Sequence, residues 1–363
     1  MTKQPNKRAI VRCISRNTGM SESSIYKILS NPFNFSKETV EIVQREAALQ
    51  GLTLKTNTVL SPPPSPNQPK TLRIGVVVPS RPVYFWREAI AGISKSKEDP
   101  NILSVANIQI VYAYYKFPLS ETETLNFFNQ LQDQYFDGLI IFPIDGLICQ
   151  NFIESLTIPT IIFNELQNYM TDAWLSQRPH MAFIGPDGYD EGKRAAAIIR
   201  SRNQQIRHMV IICTRHNSNA QVTEVRAKGM YDGIHGWDDH IHISHMELDP
   251  TERAAHSILA RHLILEYQNQ DVDCIYITSG ITHVACMAVE KIEQSLGRQL
   301  PTVVIGHECS TADHRYLLEG RQLGYIKQDV YTQGLTALRD IVHACLYNTT
   351  PQKHLFPSSI FIR

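Results

Sequence analysis

At 363 residues and 43% apolar content the chain exceeds what one core usually serves, so a small module beside a larger two-lobed domain is expected. No run approaches the roughly eighteen apolar residues that cross a bilayer, and no hydrophobic export segment follows Met1-Thr2-Lys3-Gln4-Pro5-Asn6-Lys7-Arg8, so a cytoplasmic protein without a membrane partner is expected. Seven scattered cysteines without a CxxC pair argue against disulfides or a zinc knuckle, and 35 basic against 35 acidic residues conceal a cationic front, with nine Lys/Arg and four Asp/Glu in residues 1–60.

The front segment predicts three short helices. Ile10, Cys13 and Ile14 form an apolar stripe on the first, Gly19 supplies a turn, and Ser21 caps a second whose Ile25, Ile28 and Leu29 face inward. Glu22, Ser23, Ser24, Tyr26 and Lys27 are left outside. Asn31-Pro32 breaks this helix, Ser36 caps the third, Val40, Val43 and Ala47 give its buried face, and Gly51 ends it. A basic unit of this size suits a polyanion.

Residues 56–70, TNTVLSPPPSPNQPK, carry five prolines and no apolar period, the pattern of a semi-rigid linker between domains 1–55 and 71–363. Beyond it, Val/Ile-rich runs alternate with helical patterns: LRIGVVVP, a helix from Phe85 to Ser96, IQIVYAYY, GLIIFP and TIIF, then MAFIG, MVIIC, CIYIT, TVVIG and LGYIK. Such runs suit parallel strands buried on both faces. The expected fold is α/β, with two doubly wound parallel sheets flanking a cleft and an all-α domain in front. The expected lobes are about 71–178 with 306–327, and 179–305 with 328–363. No P-loop, GxGxxG, GxSxG or HExxH occurs, so no catalytic residue and no cofactor is assigned. The cluster Asp238, Asp239, His240, His242 and His245 invites a metal reading, but alternation along a strand turns His245 away from His240 and His242, and no metal is assigned.

The stretch GMSESSIYKILSNPFNFSKETVEIVQREAALQGL resembles the headpiece of the LacI/GalR transcriptional regulators, with its G-V-S-x-x-T-V-S-R-V-L-N core. Residues 71–363 resemble the regulatory domains of that family and type I periplasmic sugar-binding proteins, through VVVPSRPVYFWREAIAGI, VRAKGMYDGI and VVIGHECSTADHRYLLEG followed by GYIKQD. The resemblance implies a helix-turn-helix whose second helix enters the major groove. Glu22, Ser23 and Lys27 then take reading positions, while Ser21, Asn34 and Thr39 take phosphates. Lys27 stands where the family usually has arginine. Leu60 is the one candidate for the minor-groove wedge of the family's hinge helix.

For the body, the resemblance implies a small sugar or sugar-like effector held between the lobes. Phe85 and Trp86 would stack on its C–H faces, and Arg226 would bond two hydroxyls. Glu308 stands where the family has aspartate, Gln328 matches the family glutamine, and Ser279 or Gly280 occupies the place of an asparagine. Asp145 and Asn164, at other strand ends, complete the expected set, and Asp187 is read as a helix cap. The resemblance implies effector-controlled operator binding, with repression as its outcome, by a homodimer matched to a palindrome. Two other readings stay open: a sugar-binding protein with a degenerate headpiece, and an α/β enzyme using Glu308 or His307 as base.

Overall fold

The computed structural model describes residues 7–30, 39, 42, 43, 45–47, 70–116, 119–202, 206–214, 220–236, 240–249 and 254–362. At the front, α1 (Lys7–Thr18) and α2 (Glu22–Ser30) are joined by a three-residue turn. Gly19 there has φ +71°, a left-handed conformation that glycine adopts without a Cβ clash. Ile10, Val11, Ile14, Ile25 and Ile28 close onto Val43 and Ala47 from the helical residues of the third segment. Of the core expected for this unit, Ile10, Ile14, Ile25, Ile28, Val43 and Ala47 are buried and Val11 joins them, while the side chains of Leu29 and Val40 lie outside what the structure describes. Cys13 is only half-buried.

The body holds two six-stranded sheets of matching order. The first runs β2 (Ala106–Tyr115), β1 (Lys70–Pro79), β3 (Gly138–Ile141), β4 (Thr160–Phe163), β5 (Met181–Pro186) and β11 (His354–Phe356). The second runs β7 (His242–Leu248), β6 (His208–Thr214), β8 (Cys274–Ile277), β9 (Val303–His307), β10 (Gln322–Lys327) and β12 (Ser359–Ile362). Every pairing is parallel except β10 with β12. Central strands are buried throughout because helices cover both faces, which is why they read as unbroken Val/Ile runs.

The division of the lobes differs from the expectation. Met181–Pro186 pairs with β4 in the first sheet, residues 303–327 belong to the second, and α13 (Val330–Tyr347) returns to pack on the first. A fully buried strand reads the same in either sheet; its neighbour decides its membership, and that pairing is non-local. Three crossovers consequently join the lobes: at Asp187, at Gln328–Asp329 and at Pro357–Ser358. The α13 return is fixed by α3 (Val83–Ser96), because a Cβ on Gly92 would sit 2.0 Å from Tyr331 O and one on Gly334 2.3 Å from Ala89 O. The backbones touch, and only glycine permits it.

Candidate functional site: the headpiece and the cleft

The α1–α2 pair is held from within and capped at its turn. Ser21 Oγ accepts the Ser24 N–H at 3.1 Å, an N-cap bond, and Ser15 Oγ donates to Met20 O at 2.6 Å. With the inward face spent on the core, Ser23 and Lys27 are exposed on the outer face of α2. Glu22 starts the same helix, and its carboxylate lies 3.4 Å from Arg12 Nε, both side chains about half exposed. A base contact by Glu22 competes with this ion pair. Thr39 is helical and partly buried, while Asn34 and Leu60 lie outside the described residues.

In the body, both sheets point their carboxyl ends at the crossovers, where open α/β sheets hold ligands. Asn164 follows β4 with φ +68° and donates through Nδ2 to Gln328 Oε1 at 2.7 Å and Gln333 Oε1 at 3.0 Å. The Gln328 N–H in turn donates to Glu308 Oε1 at 3.0 Å. Asn164, Gln328 and Glu308, picked out separately from sequence, thus form one buried chain from the first lobe through a crossover to the second.

Arg226 is placed differently from the expectation. It sits on α9 (Ala220–His235), 4% exposed, with Nε donating to Glu191 Oε2 at 2.7 Å and Nη1 donating to Thr278 O at 2.8 Å. Glu191 lies on α8 (Gly188–Ser201), and its other oxygen accepts from Ser358 on the third crossover at 2.5 Å. Two glycines make the pair possible: a Cβ on Gly192 would sit 2.1 Å from Arg226 O and one on Gly229 2.2 Å from Tyr189 O, so α8 and α9 meet at backbone contact. The guanidinium edge expected to bond two hydroxyls is spent largely on the protein, welding α8, α9 and β8 to a crossover.

Phe85 and Trp86 are also placed away from an open stacking role. Both belong to the first-lobe core, 8% and 5% exposed; Trp86 packs edge-on against Phe142 at 4.8 Å and its Nε1–H donates to Arg81 O at 3.0 Å. Asp145 is exposed and accepts the Gly146 N–H. Ser279 Oγ is sealed from solvent, with no hydrogen-bond partner among the described residues. Asp187 caps α8 through the Asp190 N–H at 3.0 Å, as read from sequence.

Burial sets the charge states. Desolvation lifts the Glu308 carboxyl to about 7, partly opposed by the Gln328 N–H, and lifts Glu165 to about 8 against the pull of Arg226. His307 is pushed well below its ordinary value by burial and by Arg226, and shares a 2.8 Å hydrogen bond with the Tyr276 hydroxyl. The Tyr84 hydroxyl is raised by burial and by facing Glu308, Asp313 and Cys309, which brings the first turn of α3 against the second lobe. A cavity of about 390 Å³ opens between the lobes beside Asn164 and Glu165, bounded by Met170, Gln221, Val225 and Lys353. Its size is within the range of small-ligand sites.

Sequence reasoning missed Glu165, Glu191, Tyr276 and Ser358. A signal existed for Glu191: it falls on the apolar face of α8 with Gly192, Ala195, Ile198 and Ile199, where a carboxylate demands a partner. Glu165 follows Asn164 directly but carries no pattern of its own. Among the described residues no group of three or more His, Cys, Asp or Glu is placed to hold a metal. Asp238 and Asp239 lie outside them; the His242 and His208 rings lie 4.8 Å apart at a 48° tilt, each within hydrogen-bond distance of Ser244 Oγ. No helix among the described residues is long and apolar enough to cross a membrane.

A family profile for the periplasmic binding protein domain matches residues 74–346. No curated protein matches the sequence. Among solved structures, a proposed LacI transcriptional regulator from Bacteroides fragilis superposes with TM-score 0.65 at 16% identity, over 81% of this chain and 97% of that one. GanP, a glucose-galactose binding protein from Geobacillus stearothermophilus, gives 0.62 at 18% identity over 81% and 98%. The transcriptional regulator CelR in complex with cellobiose gives 0.61 at 14% identity over 99% of both chains. At these identities the likeness is one of fold.

Proposed function

The chain belongs to the periplasmic binding protein domain family, and from that premise we propose that it is a sequence-specific DNA-binding transcription regulator controlled by a small sugar-like effector between its lobes. One observation carries the reading: a pair of short helices with a capped turn and its own buried core stands on the same chain as a two-lobed α/β body. The likeness to CelR, a transcriptional regulator, over 99% of both chains supports it, because that likeness includes the front of the chain. Effector entering beside Asn164 and Glu165 changes the closure of the lobes about their three crossovers, and a homodimer transmits that change to two headpieces on a palindromic operator. The protein works in the cytoplasm, where DNA is.

The test is fluorescence anisotropy of the full chain on duplexes from the region upstream of its own gene, against random duplex, at about physiological salt. A sequence preference that a sugar strengthens or abolishes supports the proposal. No preference with or without sugars sinks it. The Arg12 ion pair on Glu22, together with lysine rather than arginine at position 27, favours one rival: a sugar-binding protein whose headpiece no longer reads DNA. That rival gives sugar binding and no duplex preference.

A further inference from the structure

The inter-lobe cavity is lined by three acidic residues, Glu165, Asp172 and Asp187, and one lysine, Lys353. Glu165 keeps a partly exposed edge, yet its carboxyl is enclosed by protein, and Oε2 is sealed from water with no hydrogen-bond partner among the described residues. The charged groups around it are Arg226 and Glu191, with Asp172, Asp187 and Lys353 on the cavity wall. Arg226 is already held by Glu191 and Thr278 O, and Lys353 by Asp172 at 2.7 Å. Asp187 is committed to capping α8. Glu308 adds a further enclosed carboxyl that shares Arg226 and Glu191 as electrostatic neighbours. With a neutral polyol Glu165 stays a buried neutral acid with Oε2 unpartnered, whereas an ammonium can take it as an ion-paired carboxylate.

We propose that the cavity takes an amine-bearing sugar or polyol whose ammonium group pairs with Glu165. The assignment rests on the effector half of the reading above and names its chemical class. The carboxylate would accept charge-assisted hydrogen bonds, roughly twice as strong as neutral ones. Because burial holds the empty carboxyl at about 8, it is protonated at neutral pH and gives up that proton on meeting the ammonium. Binding therefore releases a proton, and affinity climbs with pH between about 6 and 8 while the amine stays charged, approaching tenfold per unit.

The experiment is isothermal titration of the full chain with D-glucosamine and D-galactosamine against D-glucose and D-galactose, in buffers of differing ionisation enthalpy. The expected result is at least about tenfold tighter binding of an amino sugar than of its neutral parent, with proton release. Glu165→Gln should erase the preference and the release. Wild-type ratios decide the matter even where that variant fails to fold. Equal or tighter binding of the neutral parent overturns the amine assignment and leaves sugar control standing. Binding of none of the four overturns the amine assignment too, and the anisotropy assay with other sugars then judges the wider reading separately.

Discussion

Replacing Arg226 with methionine is the most informative single perturbation of the body. The side chain is 5% exposed and its partner Glu191 is fully buried, with Nε and Oε2 2.7 Å apart. Methionine keeps most of the volume but leaves Glu191 with Ser358 alone, and Thr278 O without its donor. Removing one member of a buried ion pair costs about 3–5 kcal/mol, because the other remains uncompensated in low dielectric. At about 2–4 °C per kcal/mol, the expected fall in Tm is roughly 6–20 °C. Urea unfolding followed by circular dichroism gives the free energy, with an unchanged m-value as the check on two-state behaviour. The double variant Arg226→Met with Glu191→Leu should be more stable than the single, the remaining loss coming from the orphaned Ser358 hydroxyl and Thr278 carbonyl. A single variant losing under about 1 kcal/mol, or a double no better than the single, refutes the claim that burial of an unpaired carboxylate sets the cost.

Asn164→Ala should cost about 2–4 kcal/mol, since it strips the donor from two buried glutamine oxygens and keeps a left-handed backbone; Asn164→Gly should be about 1 kcal/mol less costly, and urea denaturation of the pair isolates the strain. For Glu308, a folded-state carboxyl raised to about 7 binds its proton more tightly than in the unfolded chain. Its contribution to stability is thus present at pH 5 and is lost as pH rises through 7, so Tm should decline over that window, and Glu308→Gln should flatten the decline. Lys27→Ala, at an exposed position on α2, should lower the slope of log affinity against log salt by about 1 in anisotropy titrations, with little change in Tm.

The sequence by itself determined what local chemistry determines. Unbroken Val/Ile runs announce strands covered on both faces. Gly19 before Ser21 announces a capped turn between helices, because a positive φ and an orphan N–H each have few residue solutions. Position 164 was legible as a strand-end polar residue, and positions 308 and 328 through the family resemblance. Their bonding into one chain was not, since Asn164 and Gln328 are 164 residues apart and meet only through a crossover. Tertiary structure alone decided that residues 181–186 complete the first sheet, that α13 returns to it, that Trp86 fills a core, and that Arg226 is consumed by Glu191. Each of these depends on which surfaces meet across the fold. A side chain's burial and partner are properties of that meeting, and periodicity along the chain carries no record of it.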